Sequence, residues 1–213
     1  MGALSGLRRW LEQKVVDLRT RRTVILDIPV LVYNTRPDVD TAGALRRLEG
    51  ALSLIRQYAP HHFRRLRRDF SGIRIQRYIC RGAYIHTDRS CLVELTFVGS
   101  PRFSQAQVAA TILHEAMHAR LHRLGFPIQM EDRARQERFC RRAEIEFGAV
   151  VPSGEAIVER ALASLSARDE DVAPVIDEAL ARERVVRADL EALPAPGWVK
   201  RAIARRQGLR EGP

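Results

Sequence analysis

The chain has 213 residues, of which 46% are hydrophobic and 29% charged, with a formal net charge of +10. That balance is globular rather than disordered, and the length is enough for one ordinary core. The excess charge is carried by arginine, since Lys14 and Lys200 are the only lysines; a basic surface attracts nucleic acid or acidic lipid without specificity and by itself assigns no function. Three cysteines (Cys80, Cys91 and Cys140) without a C-x-x-C pair argue against a disulfide framework and fit a reducing compartment. The opening MGALSGLRRWLEQ lacks the apolar core of a secretory signal. The longest apolar run, residues 23–33, is broken by Asp27 and Pro29 and is too short for a membrane span. The expectation is a cytoplasmic protein with no membrane span.

In chain order, residues 4–19 set Leu4, Leu7, Leu11, Val15 and Leu18 at helical spacing, with Arg8, Arg9, Lys14 and Arg19 mostly elsewhere, and read as an amphipathic basic helix laid on the core. Residues 24–33 read as one strand interrupted by Pro29. Leu45, Leu48, Leu52 and Ile55 mark a helix over residues 41–58, ended by Pro60. The cluster HHFRRLRR at 61–68 reads as a solvated basic helix face with Phe63, Leu66 and Phe70 turned inward. Its adjacent His61 and His62 point about 100° apart on a helix, which makes them a poor pair of ligands for one ion. Residues 72–98 are β-rich, with strands at 73–79, 83–86 and 91–98.

Ser104 and Gln107 form a capping box for a helix over residues 105–124, with Gly125 as its stop. This helix carries His114-Glu115-Ala116-Met117-His118, an H-E-x-x-H pattern. Two histidines four apart share one helix face, about 6 Å apart along the axis, so both imidazoles can reach one metal ion. The intervening glutamate then sits beside the position left open for a water. The apolar stripe Ala110, Leu113, Met117, Leu121 and Leu124 places the two histidines at its edge and Glu115 toward the polar side, as on the floor of an open cleft. His122 lies about 12 Å along the axis from His114 and cannot share the same ion on a straight helix.

A catalytic zinc ion takes three protein ligands and keeps one open position, so a third ligand is required. The next helix, over residues 131–150, offers Glu131, Glu137, Glu144 and Glu146. His118 precedes the stop at Gly125 by seven residues, about 10 Å of helix. An antiparallel neighbour starting near Met130 climbs the same height in six or seven residues, which selects Glu137. Glu144 is the alternative third ligand if the loop runs longer or the helices cross steeply. The last sixty residues are helical in composition, with breaks at 166–171 and 193–197.

His114, Glu115 and His118, followed by Glu137, resemble the gluzincin arrangement of zinc metallopeptidases, and the chain is similar in scale to small bacterial peptidases of the ImmA/IrrE type. The resemblance implies Zn2+ held by His114, His118 and Glu137, with Glu115 as the general base that takes a proton from water and delivers it to the leaving amine. It also implies a peptide or protein substrate lying on an antiparallel edge strand, for which residues 92–98 are the candidate. Tyr84, His86 and His122 are candidates by type for an oxyanion donor. One position departs from the pattern. Where gluzincins commonly carry an Asp or Asn four residues after the ligand Glu, this chain has Arg141, so an acceptor orienting a histidine must come from elsewhere.

The expected fold is α+β: a small, mostly antiparallel sheet packed on a zincin-like active-site helix and ligand helix, with additional N- and C-terminal helices. Residues 1–152 are expected to form the metallopeptidase domain and residues 153–213 a helical extension packed on it. The competing expectation is a nucleic-acid-associated or regulatory protein with a non-catalytic zinc site and an Arg-rich binding surface. Two features weigh against it. Glu115 has no purpose beside a closed site, and aromatic residues for base stacking are only 6% of the chain.

Overall fold

The run expected as one broken strand folds instead as a hairpin, β1 (Thr20–Ile25) and β2 (Ile28–Tyr33). Leu26 and Asp27 both take positive φ, 49° and 64°, the backbone of a two-residue turn whose twist matches its strands. Neither residue is the Gly or Asn that announces such a turn in a sequence. Pro29 pairs opposite Val24, and the ladder with β3 begins only at Val30, so its missing N–H leaves no gap. The computed structural model describes residues 20–126, 132–172, 178–206 and 209; the expected basic helix over residues 4–19 lies outside them.

Helices α1 (Thr41–Tyr58) and α2 (Pro60–Asp69) follow, then β3 (Gly72–Gln76), β4 (Gly82–Ile85) and β5 (Ser90–Glu94). Asp40 caps α1, its carboxylate accepting from the backbone N–H groups of Ala42 and Gly43 at 2.9 and 2.8 Å. The strands form one sheet in the order β1-β2-β3-β5-β4. It is mixed rather than mostly antiparallel: β1–β2 and β4–β5 are antiparallel, β2–β3 and β3–β5 parallel. Period-two alternation identifies strands but carries no direction. The α1–α2 crossover brings β3 in parallel to β2.

The strand expected over 91–98 stops at Glu94. The Glu94 side chain accepts from the Phe97 N–H at 2.7 Å and starts a short helix, α3 (Leu95–Gly99). Val30, Val32, Ile73, Ile75, Cys91 and Val93 turn from the sheet into a core shared with Leu48, Leu52 and Ile55 of α1. From α4 (Gln105–Arg123) the same core receives Ile112 and Leu113. Phe63, Leu66 and Phe70 are buried beside them, leaving the four arginines of α2 exposed.

Helices α5 (Arg133–Gly148), α6 (Glu155–Leu165), α7 (Asp169–Val172), α8 (Glu178–Ala192) and α9 (Gly197–Arg206) complete the described chain. α5 packs on both α4 and α6, and Ile157 of α6 joins the core. α8 reaches the sheet through Asp189, which accepts from Arg77 at 2.7 Å and from Arg36 at 3.4 Å; Arg77 also pairs with the buried Glu94. No helix among the described residues is long and apolar enough to cross a membrane.

Candidate metal centre

α4 begins with the expected capping box. Ser104 Oγ accepts from the Gln107 N–H at 3.1 Å, and Gln107 Oε1 accepts from the Ser104 N–H at 2.9 Å. It ends at Gly125, whose φ of +81° suits glycine. Between these limits the helix has no open polar face of the kind expected. Residues 108–116 are all buried, Glu115 among them at 7% exposure. The cover is β4, which runs along α4 at the sheet edge. A Cβ on Gly82 would meet Thr111 Cγ2 at 2.6 Å and Glu115 Oε1 at 3.1 Å, so the missing side chain makes room for the Glu115 carboxylate.

Beside Glu115, three donor groups converge. His114 Nε2 and His118 Nε2 stand 3.3 Å apart. Glu137, from α5, sets one oxygen 3.1 Å from His114 Nε2 and the other 3.4 Å from His118 Nε2. Ligands about 2.05 Å from a tetrahedral zinc ion are separated by about 3.3 Å, which the two ring nitrogens match; Glu137 offers each ring a different oxygen and could hold such an ion through either one. Glu144, the alternative third ligand, sits elsewhere: its Oε1 lies 2.7 Å from His114 Nδ1, behind the ring.

Glu144 therefore occupies the acceptor position that Arg141 cannot fill. The two residues are linked. Arg141 Nη1 donates to the same Glu144 oxygen at 2.7 Å, and Arg160 of α6 donates to the other at 3.0 Å. Glu144 is 1% exposed, and a carboxylate this deep persists only when its oxygens are satisfied by donors and opposite charge. Glu144 accepts from the Nδ1–H, which fixes the ring so that Nε2 is the nitrogen turned toward Glu137 and His118.

The charges are strongly coupled. Burial pulls His114 toward its neutral form, but hydrogen bonds to Glu137 and Glu144 and the charge of Glu115 outweigh it and raise the pKa to about 10. Burial likewise favours a protonated Glu137, and the His114 and His118 rings override it, holding the carboxyl well below its usual range. Glu144 is held down against its own burial by His114, Arg141 and Arg160. Without an ion, two ring N–H groups can serve the two Glu137 oxygens, but they then oppose each other across 3.3 Å. A cation bound there would displace the His114 Nε2 proton and remove that opposition.

Cys140 was not singled out by its spacing, yet its thiol comes within 4.8 Å of ring nitrogens of His114 and His118. In the metal-free protein, burial, with the charges of Glu137, Glu115 and Glu144 behind it, pushes this thiol well up, whereas Glu137 is held as an anion beside the same two rings. Cys80 lies beside Gly82, its thiol also raised, to about 11, by burial and by Glu115. Helical spacing places Cys140 on the Glu137 and Glu144 face of α5; nothing in the sequence places Cys80.

The oxyanion candidates contact one another. Tyr84 Oη lies 2.9 Å from His122 Nδ1, and the His86 ring meets His122 edge-on at 6.3 Å. The strand proposed for substrate, residues 92–98, is misplaced: β5 is interior, paired on both sides, and β4 is the edge strand beside Glu115. His61 and His62, dismissed as a pair, come together. Their ring centroids are 4.2 Å apart, because rotation about the side-chain bonds offsets the 100° between their backbone directions. No family model, curated protein or solved structure matches this chain.

Proposed function

We propose that this protein is a zinc-dependent peptidase of gluzincin-like design, with α4 as its active-site helix, α5 as its ligand helix and β4 as the strand along which a peptide lies. The observation that carries the reading is the convergence of His114 Nε2, His118 Nε2 and the Glu137 carboxylate at separations of 3.1 to 3.4 Å, next to Glu115. The donor set, two imidazoles and one carboxylate, is that of catalytic zinc with a free position. Zinc held there supplies a Lewis acid that polarises the scissile carbonyl and acidifies a coordinated water.

The rest belongs to the chain. Glu115 takes the proton of the attacking water and returns it to the leaving amine. Glu144, braced by Arg141 and Arg160, holds the His114 ring in register. β4 has a backbone edge not used by β5, to which an extended peptide adds by main-chain hydrogen bonds. Gly82 lets the Glu115 carboxylate pack directly against that strand.

The test starts from the untagged full-length chain, saturated with zinc and desalted. His118→Ala and Glu137→Ala are each expected to lose one zinc equivalent relative to wild type, and Cys140→Ser to lose none. Glu115→Gln is expected to keep the metal and lose hydrolysis of a peptide library by about 10²–10⁴-fold. Unchanged zinc content in both His118→Ala and Glu137→Ala sinks the proposal.

A further inference from the structure

A second group of metal-binding side chains lies away from this centre, where the start of α2 meets the last turn of α5. His62 is buried at 7% exposure, and its Nε2 is out of contact with solvent and without a hydrogen-bond partner among the described residues. The nearest carboxylate oxygen, Glu146 Oε2, stands 3.8 Å away, too far for a hydrogen bond. The His61 ring leans on the His62 ring with centroids 4.2 Å apart. One ring nitrogen of each histidine and one Glu146 oxygen all lie within 4.8 Å of one another.

We propose that His61, His62 and Glu146 form a second, structural site for a divalent transition-metal ion of the zinc class, clasping α2 to α5. The chemistry is that of borderline ions: two imidazole nitrogens and one carboxylate oxygen, with water completing the shell. Tetrahedral coordination needs donors about 3.3 Å apart, so the group closes by about 1.5 Å at most. The closing falls to the groups free to move. The Glu146 side chain is 70% exposed and His61 is exposed, whereas the buried His62 is the fixed donor.

The His62 ring is ready to bind. Its Nε2 is buried and held in place beside the Glu146 carboxylate. Arg65 and the positive end of α2 oppose a cation; Glu146 and the negative end of α5 favour one. Glu146 lies nine residues beyond Glu137 on α5, about 13 Å along the axis, so the two ions do not form a two-metal catalytic pair. The second ion instead anchors the end of the helix that carries Glu137 and Glu144.

The experiment is zinc titration of the full, untagged chain, using zinc chloride against a chromophoric chelator and checking bound zinc by elemental analysis. Wild type is expected to bind two equivalents and His118→Ala one. In the His118→Ala background, His61→Ala and Glu146→Ala are each expected to abolish saturable binding; both change exposed residues and leave the fold intact. Zinc is expected to raise the thermal midpoint of His118→Ala and not that of His118→Ala/His61→Ala. Binding by His118→Ala that survives both substitutions overturns the proposal, as does a single wild-type equivalent that His118→Ala removes; a water molecule then satisfies His62. A single equivalent removed by His61→Ala and kept by His118→Ala supports this site and refutes the catalytic one.

Discussion

Replacing Glu144 with Gln tests the proposed orienting role directly. The amide retains an oxygen for the His114 Nδ1–H but removes the charge shared by Arg141 and Arg160. Hydrogen bonds between charged groups contribute about 1.5–3 kcal/mol each, yet the side chains of Arg141 and Arg160 are 23% and 36% exposed and recover part of this from water. The expected net cost to the metal-free protein is about 2–3 kcal/mol, read as a lower urea midpoint at unchanged m-value. Loosening the partner of a ligating histidine weakens metal binding by about 10–100-fold, or about 1.4–2.7 kcal/mol. Chelator competition measures this, with Glu137→Gln as the reference for loss of a ligand. Zinc affinity within threefold of wild type in folded Glu144→Gln refutes the orienting role. A loss exceeding that of Glu137→Gln makes Glu144 the ligand and overturns the assignment of Glu137.

Other consequences follow from the same contacts. His114 has a raised folded-state pKa, so its contribution to metal-free stability is full below about 6.5 and is lost as pH rises toward about 10. Glu137 and Glu144 have depressed values, so theirs is present above about 4.5 and is lost only in acid. The metal-free urea midpoint is therefore expected to peak near pH 5–6 and to be lower at pH 8.5; a flat profile over that range contradicts the coupling. Zinc binding at pH 7.5 is expected to release about one proton from the imidazolium, measurable by calorimetry in buffers of differing ionisation enthalpy. Gly82→Ala drives a methyl into Thr111 and Glu115 and is expected to cost about 1–3 kcal/mol. It should also reduce hydrolysis while zinc is retained; unchanged stability and turnover show that β4 yields there. Arg77→Met leaves Glu94 buried without its cation and frees Asp189, for an expected loss of about 3–5 kcal/mol by denaturant titration.

Sequence reasoning reached as far as local chemistry reaches. The Ser104–Gln107 box, the stop at Gly125 and the apolar rhythm of α1 are set within a few residues, and each stands in the structure as read. The climb that selected Glu137 over Glu144 used only helical rise, and Glu137 does lie against both histidine rings. The turn at Leu26 and Asp27 was hidden because leucine does not favour positive φ and no glycine accompanies the aspartate. The burial of Glu115 was hidden because it depends on β4, a strand more than twenty residues away, and on one absent side chain at Gly82. The role of Glu144 needed two facts that no spacing carries: that His114 turns its Nδ1 toward α5, and that Arg160 arrives from α6.

That last contact bears on whether the histidine pair is fortuitous. Positions 137, 140, 144 and 147 of α5 follow helical periodicity toward α4, and an ordinary helix would fill all four with apolar residues. This one places two carboxylates there, and a buried ionic cluster is often no more stabilising than a well-packed apolar replacement. An apolar side chain at 144 would spare the chain a desolvated charge and release Arg141 and Arg160 to solvent. What it could not do is accept a hydrogen bond from His114 Nδ1. The cluster is thus hard to explain by stability alone and simple to explain if the direction of the His114 Nε2 lone pair matters. Glu144→Met separates the two accounts. If the cluster serves the fold, the substitution lowers metal-free stability by the several kcal/mol expected for breaking a buried pair. If it serves the ring, stability falls by no more than about 2–3 kcal/mol, as expected of Glu144→Gln, while zinc affinity falls at least tenfold. Unchanged affinity in a folded Glu144→Met protein refutes the second account.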